Sequence, residues 1–113
     1  MVTPGRFREL AMQLPRVEEI DHFGTPSFRV RGRIFVQFAR GGNDAIFKLS
    51  RDELDVLRMS AGDLFVPDPG WGKHGWTHVR IAGMDEAWVD QLLCDAWRRA
   101  TPKKMHGELN VGA

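Results

Sequence analysis

The stretch Ser27-Phe28-Arg29-Val30-Arg31-Gly32-Arg33-Ile34-Phe35-Val36-Gln37-Phe38-Ala39 decides the fold. Residues 27–30 and 33–39 are rich in β-branched and aromatic side chains. Arg31-Gly32 between them reads as a tight hairpin bend, with Gly32 supplying a positive φ. Two registers are open. A two-residue turn puts Val30 opposite Arg33 and Arg29 opposite Ile34, which divides the arginines between the two faces. A three-residue turn centred on Arg31 aligns Arg29 with Arg33 instead.

Working outward, residues 17–23 read as a preceding strand and Gly24-Thr25-Pro26 as its turn. Gly41-Gly42-Asn43-Asp44 makes the next turn, and residues 45–49 a fourth strand. Consecutive strands joined by short turns imply a mostly antiparallel sheet. Helices flank this run. Thr3 and Pro4 form an N-cap and a proline at the first helical position. Phe7, Leu10, Ala11 and Leu14 follow at helical spacing, and Pro15 ends the element. Ser50-Arg51-Asp52-Glu53 is a capping box that opens a second helix, with Leu54 and Leu57 facing inward. A brief strand is expected at residues 64–66 and another at 77–82. Asp85 caps a long helix with Glu86 in its first turn and an apolar stripe of Val89, Leu92, Leu93, Ala96, Trp97 and Ala100. The order is one helix, three or four strands, a helix, one or two strands and a helix, which predicts a two-layer α+β sandwich.

The 113 residues, 42% hydrophobic and 27% charged, suit one globular domain. Residues 1–102 are read as that domain, and residues 103–113 as a polar, frayed tail. The net charge of +1 argues against a strongly electrostatic nucleic-acid binder and leaves room for a local patch. Cys94 is the one cysteine, so no intrachain disulfide forms and a reducing, cytoplasmic setting fits. No apolar run reaches the roughly 18 residues of a membrane span. Arg6, Arg8 and Glu9 interrupt the N-terminal apolar pattern where a signal peptide would be continuous.

The segment Pro69-Gly70-Trp71-Gly72-Lys73-His74-Gly75-Trp76-Thr77 contains a literal dinucleotide fingerprint at Gly70, Gly72 and Gly75. Such a site needs a strand before it and a helix after it. Here Pro67 and Pro69 break the preceding strand, and Thr77-His78-Val79-Arg80-Ile81 alternates as a strand. The glycines then serve the turns, and Trp71 or Trp76 packs on the sheet. Alternatively the indoles are exposed, a base stacks on one of them and Lys73 meets a phosphate. A second constellation is basic: Arg29, Arg31, Arg33 and Arg40 occur with no acid between Phe23 and Asn43, a local charge of +4. A basic hairpin can touch a nucleic-acid backbone; it can equally be an edge that discourages strand pairing. His74 and His78 are spaced for a metal on a helix, but on a strand they lie roughly 13 Å apart, too far for one ion. No metal, no cofactor and no catalytic set is implied, and an enzyme is not expected.

These residues also carry a resemblance. His22-Phe23-Gly24-Thr25-Pro26-Ser27-Phe28, Val30-Arg31-Gly32-Arg33-Ile34-Phe35, Lys48-Leu49-Ser50, Phe65-Val66-Pro67, Gly72-Lys73-His74-Gly75-Trp76-Thr77 and Ala96-Trp97-Arg98 are similar to the MmcQ/YjbR family in order and spacing. The resemblance implies a secretion-chaperone-like sandwich with a curved antiparallel sheet. It also implies a double-wing motif with DNA as partner, a label that rests on shape. The leading expectation is weak, phosphate-directed DNA binding by Arg29, Arg31, Arg33, Arg40, Lys73 and Trp76, in a monomer or homodimer. The alternatives are a protein-interaction or chaperone-like module working through the sheet, and a small-ligand site beneath the glycine-tryptophan loop.

Overall fold

Each helix begins where a side chain satisfies its first free N–H groups. In the computed structural model, which describes residues 2–22, 24–39, 44–66 and 76–110, the Thr3 hydroxyl accepts from the Arg6 N–H at 3.1 Å and opens α1 (Pro4–Met12). Ser50 accepts from the Glu53 N–H at 3.1 Å while Glu53 accepts from the Ser50 N–H at 2.8 Å, the reciprocal box that opens α2 (Arg51–Ala61). The Asp85 carboxylate accepts from the Trp88 N–H at 2.8 Å and starts α3 (Glu86–Ala100). All three starts follow from residues legible in the chain.

Between and after these helices run β1 (Val17–His22), β2 (Thr25–Val30), β3 (Arg33–Phe38), β4 (Ala45–Lys48), β5 (Phe65–Val66) and β6 (Trp76–Val79). They form one antiparallel sheet in the order β1-β2-β3-β4-β6-β5. The β2–β3 bend is a two-residue turn: Val30 pairs with Arg33 and Arg29 with Ile34. Both turn residues take positive φ, Arg31 at 53° and Gly32 at 78°. That is the type I′ signature, whose twist matches a right-twisted hairpin. The positive φ expected at Gly32 alone is therefore shared by Arg31. A bulge then shifts the register, so that Phe28 faces Val36 and Phe35 is the extra residue. Phe35 and Val36 are consequently both fully buried, and the sheet bends there.

The core lies on the helix side of the sheet. Phe7 of α1 sits among Phe28, Phe38 and Phe47, with ring centroids 6.0, 5.2 and 5.8 Å away. Val89, Leu92, Leu93, Ala96 and Trp97 of α3 and Leu57 of α2 join the same cluster, giving the two layers. Trp97 has no exposed surface, and its indole N–H donates to the Pro15 carbonyl at 2.9 Å. Arg6 forks onto Glu86 at 2.6 and 3.0 Å and ties α1 to the start of α3. That guanidinium holds the Glu86 carboxyl below its ordinary pKa.

Two expectations are corrected. The strand anticipated over 77–82 ends at Val79, and Ile81–Gly83 turn as a 3₁₀ helix. An apolar Val79-x-Ile81 pattern fits either form; here the turn drops Ile81 into the core. Residues 103–110 also do not fray. They form a 3₁₀ helix in which Met105 is buried, His106 donates from Nε2 to the Arg98 carbonyl at 2.9 Å, and Glu108 bridges Arg16 at 2.9 Å. The open carbonyls at the end of α3 and the neighbouring Trp97 give this segment something to dock on.

Gly32→Ala places a Cβ at a φ of 78°. It is expected to lower stability by roughly 1–2 kcal/mol, read as a lower urea midpoint at unchanged slope.

Candidate nucleic-acid interface

Alternation along the strands assigns each side chain a face. Phe28 and Val30 point into the core, so Ser27 and Arg29 take the opposite face. Pairing carries this across the sheet: Ser27 with Gln37, Gln37 with Ile46, Ile46 with His78, Arg29 with Ile34, and Lys48 with Trp76. Ile46 is buried yet stands outside the core cluster, as this assignment requires. The core-cluster residues of α1, α2 and α3 pack with Phe28 and Val30, on the first face.

Its polar groups are held in place. The Ser27 hydroxyl donates to the Ile20 carbonyl across β1–β2 at 2.6 Å, and Arg29 Nε donates to that hydroxyl at 3.3 Å. The half-buried Arg29 is thus aimed by its own strand. Lys48 is exposed, and its ammonium lies 5.4 Å from the centre of the half-buried Trp76 ring. That is within cation–π range. Arg29 and Lys48 lie two strand spacings apart, roughly 10 Å. The acids on this face are Glu18, opposite Arg29, and Asp44, whose carboxylate meets His78 Nε2 at 3.0 Å.

The hairpin arginines do not form one patch. Arg33 pairs with Val30 and so points away from Arg29. Arg31 sits at the tip, with Nη1 4.0 Å from the Met105 sulfur. The two-residue register is the physical cause. Arg40, Gly70, Trp71, Gly72, Lys73 and Gly75 lie outside the described residues. Trp76 is the one member of the glycine-tryptophan set whose surroundings are seen, and it opens β6 on the second face. Lys48 is the residue that sequence reasoning missed. Its signal was faint: alternation from Ile46 puts it opposite the core, but only the β4–β6 register brings it to Trp76.

Among the described residues, no group of three or more His, Cys, Asp or Glu side chains could hold a metal. Burial pushes the Cys94 thiol up, away from the reactive thiolate. A cleft of about 360 Å³ lies between α1 and the β1–β2 turn, lined by Pro4, Arg8, Thr25, Pro26 and Phe38 among others. No helix is long and apolar enough to cross a membrane.

With this geometry in view, the chain matches the family model YjbR over residues 12–99. The chain belongs to the YjbR family. A comparison with curated proteins gives no match. Among solved structures it is similar to the crystal structure of the Deinococcus radiodurans protein DR2400, a domain of the DUF419 type. The TM-score is 0.76 at 20% identity, over 97% of this chain and 89% of that one. At that identity the likeness shows the fold. The YjbR match leaves out most of α1 and all of residues 103–110, yet both pack here: Phe7 centres the aromatic cluster and Met105 covers the end of α3.

Replacing Lys48 by Gln removes the cation over Trp76. Stability is expected to fall by about 0.5–1 kcal/mol. Arg33→Gln, at the exposed hairpin end, should stay within about 0.5 kcal/mol of the parent. Paired urea denaturation curves compare the two.

Proposed function

We propose that this YjbR-family chain binds single-stranded nucleic acid weakly across the second face of the sheet. Arg29 and Lys48 contact phosphates, and Trp76 offers a ring for a base. The observation that carries this reading is the placement of Lys48 over Trp76 on the same face as Arg29. An aromatic ring with flanking cations suits unstacked bases, which have a π-face to offer, better than it suits a duplex. The charge is small, with Glu18 and Asp44 on the same surface, so affinity stays in the non-specific range of roughly 10⁻⁴–10⁻⁶ M. The expectation of phosphate contacts thus keeps Arg29 and Trp76. It gains Lys48 and gives up a contiguous patch with Arg31 and Arg33.

Fluorescence anisotropy with a short single-stranded oligonucleotide tests this. Two neutralised phosphates give a slope of log affinity on log salt of about −1.4. Lys48→Gln should halve that slope. Trp76→Ala should weaken binding by about 1–3 kcal/mol and leave the slope alone. Absence of binding at low salt, together with a molecular mass that rises with concentration in light scattering, would favour the protein-interaction alternative.

A further inference from the structure

We infer that the cleft between α1 and the β1–β2 turn binds a small apolar carboxylic acid as its monoanion, held by Arg8. This inference does not depend on the nucleic-acid reading. The cleft has a volume of about 360 Å³. Small-molecule sites span roughly 300–1,000 Å³ and combine apolar walls with a few polar groups. Pro4, Pro26, Phe38 and Ala39 give this one its apolar walls. Phe38 is buried, and its ring centroid lies 5.2 Å from that of Phe7. That wall is thus part of the core and is formed before any ligand arrives.

Arg8 is the one charged residue of the lining among the described residues. Its side chain is half-exposed and pairs with Glu19 through Nε at 2.9 Å. A guanidinium has five N–H donors, so this ion pair leaves the two η nitrogens for a second carboxylate. Their fork matches a carboxylate in two parallel hydrogen bonds. The acids nearby are Glu19 and Asp21, which accepts from the Gly24 N–H at 3.2 Å. Two acids beside one arginine disfavour a dianion such as a phosphate. One cation at apolar walls therefore selects one carboxylate on an apolar body.

Gly5 supplies an independent observation. Glycine weakens a helix relative to alanine, yet it stands at the second position of α1. Packing does not demand it, because no atom lies within 4 Å of the place its Cβ would take. The backbone does not demand it either: Gly24 and Gly32 have positive φ, and Gly5 does not. Gly5 lines the cleft, and a side chain there would occupy space that the body of a ligand needs.

Two-dimensional amide NMR of the full chain tests this, with phenylacetate in one titration and its neutral isostere phenylacetamide in another. Phenylacetate should give saturable shifts at Gly5, Arg8, Gly24 and Thr25. Phenylacetamide should bind about tenfold more weakly, because it loses the charge-assisted pair of hydrogen bonds. Arg8→Gln should remove the preference for the acid. Gly5→Leu should abolish binding of both compounds without lowering the melting temperature, since it removes a helix-weakening glycine. Equal binding of acid and amide by the parent chain overturns the inference, as do shifts that fail to saturate or that fall outside the cleft. A preference for the acid that survives in Arg8→Gln overturns it as well.

Discussion

The two-residue turn at Arg31-Gly32 is the constraint on which the rest of the sheet depends. Its paired positive φ angles set Val30 against Arg33 and Arg29 against Ile34. Every face assignment then follows, because a slip of one residue would exchange the two faces of a strand. With this register Phe28 and Val30 join the core cluster with Phe7 and the stripe of α3, and Arg29 is carried to the second face. The bulge at Phe35 restores the alternation, so that Phe38 also reaches Phe7. The core and the candidate interface are thus two consequences of one turn.

Much of this was legible in the residues. Thr3, Ser50 and Asp85 announce the three helix starts because a short polar side chain before an apolar repeat has a direct local use. The hairpin and the antiparallel order follow from turn residues at short intervals. What was not legible depends on contacts distant in sequence. The two turn lengths at Arg31-Gly32 place the same residue types in the bend, so local chemistry cannot separate them. The end of β6 at Val79 is decided by where Ile81 finds core space. Residues 103–110 look polar in isolation, but Met105 and His106 have Trp97 and the open carbonyls of α3 to cover. The meeting of Lys48 with Trp76 requires β4 and β6 to pair across 28 residues of chain.

The helix layer carries one polar contact whose pH response is set by its geometry. The Arg6–Glu86 fork joins α1 to α3 through a carboxylate held below its ordinary pKa, so its contribution is present above about pH 4.5 and is lost as pH falls. Aromatic packing around Phe7 holds the sheet against the helices.

The most direct test of the account is a two-dimensional amide NMR titration of the full chain with a short single-stranded oligonucleotide at low salt. The account predicts shifts concentrated at Arg29, Ile34, Lys48 and Trp76, including the Trp76 indole N–H. Shifts centred on Arg31 and Arg33, shifts confined to the helices, or an unchanged spectrum would contradict it.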